Sequence, residues 1–304
     1  MKQIVLEPAQ YYRLYSDIHQ DFYVSKKFTP TQLWEPEPLD EDSESVLILA
    51  GDIWHAKKPF IFANYSWYKK MSERFKYVFV VLGNHDFWGG SFPNEYTNFE
   101  RYKKQFVIDN LYLLQDSTIL LGDYKFIGST LWTSLGSRSV DVIEQFNKCN
   151  NDLKYMRWQD PRYPSVYKHI SAKQFIEAFN KSKSYIFENA TRDYAEQSIV
   201  VVTHHPPSTI LVTDPEMTNI DFEIDTNNLD ELIKASQIDI WMHGHNHQSG
   251  KKLIGNTQII ANTVGYKSSK TSDLNQDYNP WHQEAFVEKI DLENKKNIQP
   301  KCNM

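Results

Sequence analysis

Tyr77-Val78-Phe79-Val80-Val81-Leu82 runs directly into Gly83-Asn84-His85-Asp86, so six apolar or aromatic residues deliver an amide, an imidazole and a carboxylate at their end. The reading of this stretch decides the fold. Half of the six are β-branched and the run does not alternate with polar residues, which describes a strand buried on both faces. Gly83 then permits a sharp turn. In an open α/β sheet, ligands bind in the crevice beyond the carboxyl ends of the strands. Taken alone, the tetrapeptide is read equally well as an Asn-His-Asp turn without chemistry.

Working outward, the same rhythm recurs. Tyr11 to Tyr15 ends at Ser16-Asp17-Ile18-His19, and Val46-Leu47-Ile48-Leu49-Ala50 ends at Gly51-Asp52. In the second half, Ser198 to Thr203 ends at His204-His205-Pro206-Pro207, and Ile238 to Met242 at His243-Gly244-His245-Asn246-His247. One such loop would mean little, but surface polarity does not explain five apolar runs that each end in donors: Asp17 and His19, Asp52, Asn84 and His85, His204, then His245 and His247. A set of Asp, Asn and His without Cys suits divalent Mn, Fe, Ni, Co or Zn and disfavours a calcium cage.

Between these runs the pattern predicts helices over Phe60 to Arg74, about Asn94 to Phe106, Val140 to Tyr155, Ala172 to Arg192 and Leu229 to Ala235, with short strands over Leu111–Leu114, Thr118–Leu121, Tyr124–Ile127, Lys251–Ile254, Thr257–Ala261 and Ala285–Ile290. Strand, polar loop and helix in repetition predict an α/β fold, layered around two sheets in a single domain of 304 residues. Residues from about 135 to 195 are the candidate helical insertion or lid. Ser25 to Glu44, with Pro30, Pro36 and Pro38 among acids, reads as a long surface loop, and Lys267 to Pro280 as a mobile one, with Tyr266 and Trp281 beside it.

Composition narrows the function. A formal net charge of −6 argues against binding duplex DNA by general electrostatics, though not against nucleotides. Two cysteines, Cys149 and Cys302, support neither a disulfide framework nor a thiolate site. No stretch reads as a membrane span or signal peptide, so the expected location is cytoplasmic.

In this order, D-x-H, G-D, G-N-H-D, H and G-H-x-H resemble the calcineurin-like metallophosphoesterase superfamily over residues 17 to 247. The resemblance implies a four-layer fold: a two-sheet β-sandwich flanked by helices. It further implies that Asp17, His19 and His247 hold one metal ion, that Asn84, His204 and His245 hold a second, and that Asp52 bridges them. His85 would be the acid at the leaving group, oriented by Asp86. Two dications about 3.5 to 4 Å apart repel by on the order of 16 kcal/mol at an effective dielectric of 20, so bridging anions are required. Asp52 and a bridging hydroxide would supply them, and the hydroxide would attack phosphorus in line.

The implied activity is hydrolysis of a phosphate ester, foremost a small phosphodiester or nucleotide. A phosphomonoesterase and a catalytically silent scaffold are the alternatives. Gly51-Asp52 continues as Ile53-Trp54-His55-Ala56, without the D-R-G of protein serine/threonine phosphatases and with His where the purple acid phosphatases carry a ligand Tyr. His55, His169, His205, His243 and His282 stay outside the ligand set as ordinary packing or surface residues. Trp54, Phe87, Trp88 and Trp132 lie within a few residues of strand ends, and core packing and stacking on a base are both open to them.

Overall fold

The computed structural model describes residues 4–23, 33–160, 162–163 and 165–266. The expected strand at Ala285–Ile290, the Lys267–Pro280 stretch, Trp281, His282 and Cys302 lie outside the described residues.

The strands in chain order are β1 (Ile4–Leu6), β2 (Tyr11–Tyr15), β3 (Ser45–Ala50), β4 (Tyr77–Val81), β5 (Ser91–Phe92), β6 (Leu111–Leu113) and β7 (Ser117–Leu121). They continue as β8 (Tyr124–Ser129), β9 (Arg157–Gln159), β10 (Tyr167–Lys168), β11 (Ser198–Thr203), β12 (Ile240–His243), β13 (Gly250–Ile254) and β14 (Thr257–Ala261). One sheet runs β2-β3-β4-β6, all parallel. A mixed seven-stranded sheet runs β1-β7-β8-β11-β12-β14-β13. The two are packed face to face.

Period-two alternation explains the unbroken apolar runs, because each central strand feeds two cores at once. Val46, Ile48, Phe79 and Val81 point between the sheets, against Phe126, Val200, Val202 and Met242. Their neighbours Leu47, Leu49, Val78 and Val80 point outward, beneath Tyr65, Tyr68, Met71 and Phe99 of the helices Ile61–Arg74 and Asn94–Gln105. On the far side, Ile199, Val201 and Trp241 pack under Phe179, Ile186 and Ile233. The result is helix, sheet, sheet, helix, as expected. Burying one such side chain contributes about 1.5–3 kcal/mol.

Three expectations change. The helix Ala172–Asn189 is the outer layer over the larger sheet and the crossover between the parallel pair β8 and β11, not part of a lid, because Phe179 and Ile186 are core residues. What is added to the layers is Val140–Lys168, broken at Asn150-Asn151 and tied through a small β10-β9-β5 sheet to Ser91–Phe92. The segment expected as a surface loop ends buried: Trp34 packs on the core, and Asp42 accepts from Arg13 and Arg74 at the entrance to β3. β1 and the helix Asn219–Asp225, too short to carry a clear period, are additions. Among the described residues no helix is long and apolar enough to cross a membrane.

Candidate metal centre

All five donor loops leave the carboxyl ends of parallel strands and meet where the two sheets adjoin. The β2 and β3 loops zip together past the sheet, with Asp17 N–H on Gly51 O (2.9 Å) and His19 N–H on Asp52 O (3.0 Å). The sheets are joined by a parallel bridge between Ser16 and Thr263 and by Asn262 Nδ2 on Leu14 O at 2.7 Å, while within the larger sheet Gly244 N–H on His204 O at 3.0 Å ties the β12 loop to the β11 loop. Five of the donors, Asp17, His19, Asp52, His245 and His247, hold left-handed backbone with φ between 46° and 79°. Such conformations cost about 1–3 kcal/mol each in non-glycine residues and cluster where a site requires them. Gly83 is fixed by close approach, since a Cβ there would overlap Asp52 Oδ1 and lie 2.5 Å from its amide nitrogen.

Two groups of donors result. Asp17, His19 and His247 form one: His19 Nε2 lies 3.1 Å from His247 Nε2, which lies 3.5 Å from Asp17 Oδ1. Asn84, His204 and His245 form the other, with Asn84 Oδ1 3.0 Å from His204 Nε2 and 3.2 Å from His245 Nδ1. Asp52 stands between them, one oxygen 3.4 Å from His204 Nε2 and the other 3.9 Å from His19 Nε2.

The hydrogen bonds around the second group fix which atoms face inward. His204 Nδ1 donates to the Ala50 carbonyl (2.9 Å), which leaves the Nε2 lone pair for the interior. Asn84 Nδ2 donates to Asp152 (2.9 Å), which leaves Oδ1 there as well. Acceptors therefore converge on acceptors, an arrangement that repels unless a cation lies among them. Asp17 and Asp52 add two carboxylates, at most 2% exposed, whose ion-pair partners among the described residues are histidines rather than Lys or Arg. Burial raises both carboxyls above their usual range, Asp52 further because Asp17 is close. It holds His204 down to about 4 and His19 well below normal, so these imidazoles are neutral. This donor set fits divalent metal ions.

His85 lies at the edge of the groups, Nε2 4.0 Å from Asp52 Oδ2, and burial followed by the nearby His55 pushes it down to about 2. Its ring stacks on Trp88 at 3.6 Å, Nδ1 faces His55 Nε2 at 3.4 Å, and Nε2 lies 3.4 Å from the Tyr266 hydroxyl. Asp86 has a different use from the one expected. Its oxygens accept the backbone N–H groups of Asp52 (2.8 Å), Gly83 (2.8 Å), Trp54 (2.9 Å) and Ile53 (3.3 Å), so it braces the turn that presents Asp52 instead of steering His85. His55 is no ordinary packing residue, because it supplies the contact to His85 and lies 3.5 Å from Asp21.

Of the aromatic residues near strand ends, Trp54, Phe87 and Trp132 are core, and only Trp88 reaches the site. The Tyr266 ring lies tilted against His19 (4.4 Å) and meets His247 edge-on (4.6 Å). His205 bonds the Thr130 carbonyl, with its ring 4.2 Å from His245, and His243 bonds Gly244 O. Asp152 was hidden from sequence reasoning. Its Oδ1 accepts from both Asn84 Nδ2 and Trp88 Nε1 (2.7 Å), and only an acid on an otherwise polar helix hinted at it.

With this geometry in view, residues 14–249 match the calcineurin-like phosphoesterase family. The chain belongs to that family. Its coarse chemistry is accordingly phosphoester hydrolysis. An uncharacterized protein of Acanthamoeba polyphaga mimivirus is 25% identical over an alignment of 287 residues that covers 88% of this chain and 94% of that one. Among solved structures, phosphopantetheinyl hydrolase from Mycobacterium tuberculosis shares the fold at a TM-score of 0.58 and 13% identity, with 90% of this chain and 99% of that one covered. A putative 5'-nucleotidase from Staphylococcus aureus aligns at a TM-score of 0.43 and 20% identity over 82% of this chain and 48% of the other.

Proposed function

We propose that the protein hydrolyses a small phosphodiester, such as a nucleotide, with two divalent metal ions held at the strand ends. Asp17, His19 and His247 would hold one ion, Asn84, His204 and His245 the other, and Asp52, which stands between the two groups, would serve both. The convergence of Asn84 Oδ1 and His204 Nε2 at 3.0 Å, with both N–H groups turned outward, carries this reading. The donor types suit Mn, Fe, Ni, Co or Zn. When bound, the ions supply a water activated as nucleophile and the positive charge that stabilises the transition-state oxygens.

The chain's own residues supply the remainder. Asp52 and Asp17 offset the repulsion between the ions while leaving excess positive charge for a phosphate. His85 is placed to donate the proton to the leaving oxygen: burial disfavours its charged form, an anionic phosphate beside the ring would favour it again, and the Trp88 face and His55 hold the ring. Asp86 keeps the Gly51–Trp54 turn in place, and Asp152 keeps the Asn84 oxygen aimed inward.

Elemental analysis of the purified protein, together with turnover of bis(p-nitrophenyl) phosphate and p-nitrophenyl phosphate with added Mn²⁺, tests the proposal. Two ions per chain and faster turnover of the diester are expected. Faster monoester turnover would make it a phosphomonoesterase, and absence of both ions and turnover would make it a scaffold.

A further inference from the structure

A cavity of about 500 Å³ opens between the helices Ile61–Arg74 and Asn94–Gln105 and the turn at 89–91, a size typical of small-molecule sites. It is not the metal centre. None of the seven strand-end donors lines it, and His55 and Asp86 belong to the wall between the two.

Three of the residues lining it carry buried polar atoms with no hydrogen-bond partner among the described residues: Trp54 Nε1, His55 Nδ1 and Asn64 Oδ1. Trp54 is 1% and His55 7% exposed. Native proteins leave few such groups unpaired. The three offer a donor, an acceptor and an imidazole nitrogen that can be either, which matches the mixed edge of a nucleobase and not a bare anion, an acceptor only. Tyr65, Phe99 and Tyr102 add flat aromatic surface.

The mouth has a different character. Lys58, Arg101 and Arg157 are exposed cations there, whereas both carboxylates of the lining have their oxygens engaged. Glu95 accepts from Ser91 N–H and Asn98 Nδ2, and Asp86 from its four backbone amides. A polar floor, flat walls and a cationic rim together describe a base at one end and a phosphate at the other.

We propose that this cavity is a second ligand site that takes a nucleoside monophosphate, with the base edge at Trp54, His55 and Asn64 and the phosphate at Lys58, Arg101 and Arg157. The site is independent of the reading of the metal centre. Calorimetric titration of the metal-loaded protein with AMP, adenosine and ribose 5-phosphate tests it, using Asn64→Leu, Arg101→Ala and Asp52→Asn.

AMP should bind at a site that survives Asp52→Asn, at least about 10-fold more tightly than either fragment. Asn64→Leu and Arg101→Ala should each weaken it about 10-fold and leave turnover of an aryl diester unchanged. Arg101 is exposed, so its variant stays informative if Asn64→Leu fails to fold. AMP binding lost in Asp52→Asn but untouched in Arg101→Ala would overturn the proposal and put the nucleotide at the metal centre only. Absence of AMP binding would equally overturn it, leaving a water-filled polar cavity.

Discussion

The two sheets contribute to the centre unequally. The four-stranded sheet brings both buried carboxylates, Asp17 and Asp52, with Asn84, His19 and His85, whereas the seven-stranded sheet brings the imidazoles of His204, His245 and His247 alone. One edge therefore carries both donor carboxylates and the other only imidazoles. A charge deleted from the first should disturb both ions, and an imidazole deleted from the second should disturb one.

The sharpest way to break this comparison is Asp52→Asn against His204→Ala. A carboxylate 4 Å from a dication has on the order of 8 kcal/mol of Coulomb attraction at an effective dielectric of 20, most of which an amide forfeits. If only half appears as lost affinity, that is roughly three decades. Asp52→Asn should deplete both ions and nearly abolish turnover, while His204→Ala should retain one ion by elemental analysis. Two tightly held ions and near-normal turnover in Asp52→Asn would make the bridging assignment wrong.

His85→Ala separates chemistry from metal binding on the charged edge. Both ions should remain, and turnover of an alkyl or nucleoside ester should fall by about 10²- to 10⁴-fold, with a smaller loss on a nitrophenyl ester whose leaving group needs no proton. Loss of an ion, or an equal loss whatever the leaving group, would make His85 a ligand or a structural residue.

Asp152→Ala sharpens the comparison within one group of donors. Freed from its acceptor, Asn84 can turn its amide, and affinity for the ion beside His204 and His245 should drop about 10- to 100-fold. The ion beside Asp17 should be unaffected in a metal titration. An equal weakening of both ions would mean that the variant loosens the fold generally.

The smallest effect on activity is expected at the opposite end of the same sheet. Asp42 pairs with Arg13 at 2.7 Å, both nearly inaccessible, and also with Arg74. Asp42→Ala leaves buried guanidinium charge unpaired and should destabilise the fold by about 3–5 kcal/mol. Denaturant unfolding should register that loss, while kcat per folded molecule and metal content stay unchanged.

Asp86 marks where sequence reasoning misassigned a role. Its place beside His85 suggested a partnership, yet its carboxylate collects four backbone N–H groups from its own turn and the β3 loop. Trp54 and Trp132 likewise gave no local sign of facing inward, whereas Trp88, in the same kind of loop, covers His85. Tyr266 stands in the sequence only beside a polar stretch, and the backbone entering it is held by Val264 N–H on Ser16 O at 2.8 Å, a contact between distant segments.

What the sequence determined by itself is local in origin. A strand buried on both faces needs an unbroken apolar run, a donor at its carboxyl end needs only to follow that run, and a glycine such as Gly83 marks the turn; period and adjacency are written in neighbouring residues. The layers, the order of the loops and the set of donors followed from these. Only the tertiary structure decided that residues 172–189 are a core layer, that Asp152 aims Asn84 from 68 positions away, that His55 backs His85, and that five donors take left-handed backbone. Each depends on a contact between distant segments, whose partner is chosen by how the two sheets pack and leaves no periodic trace in either segment.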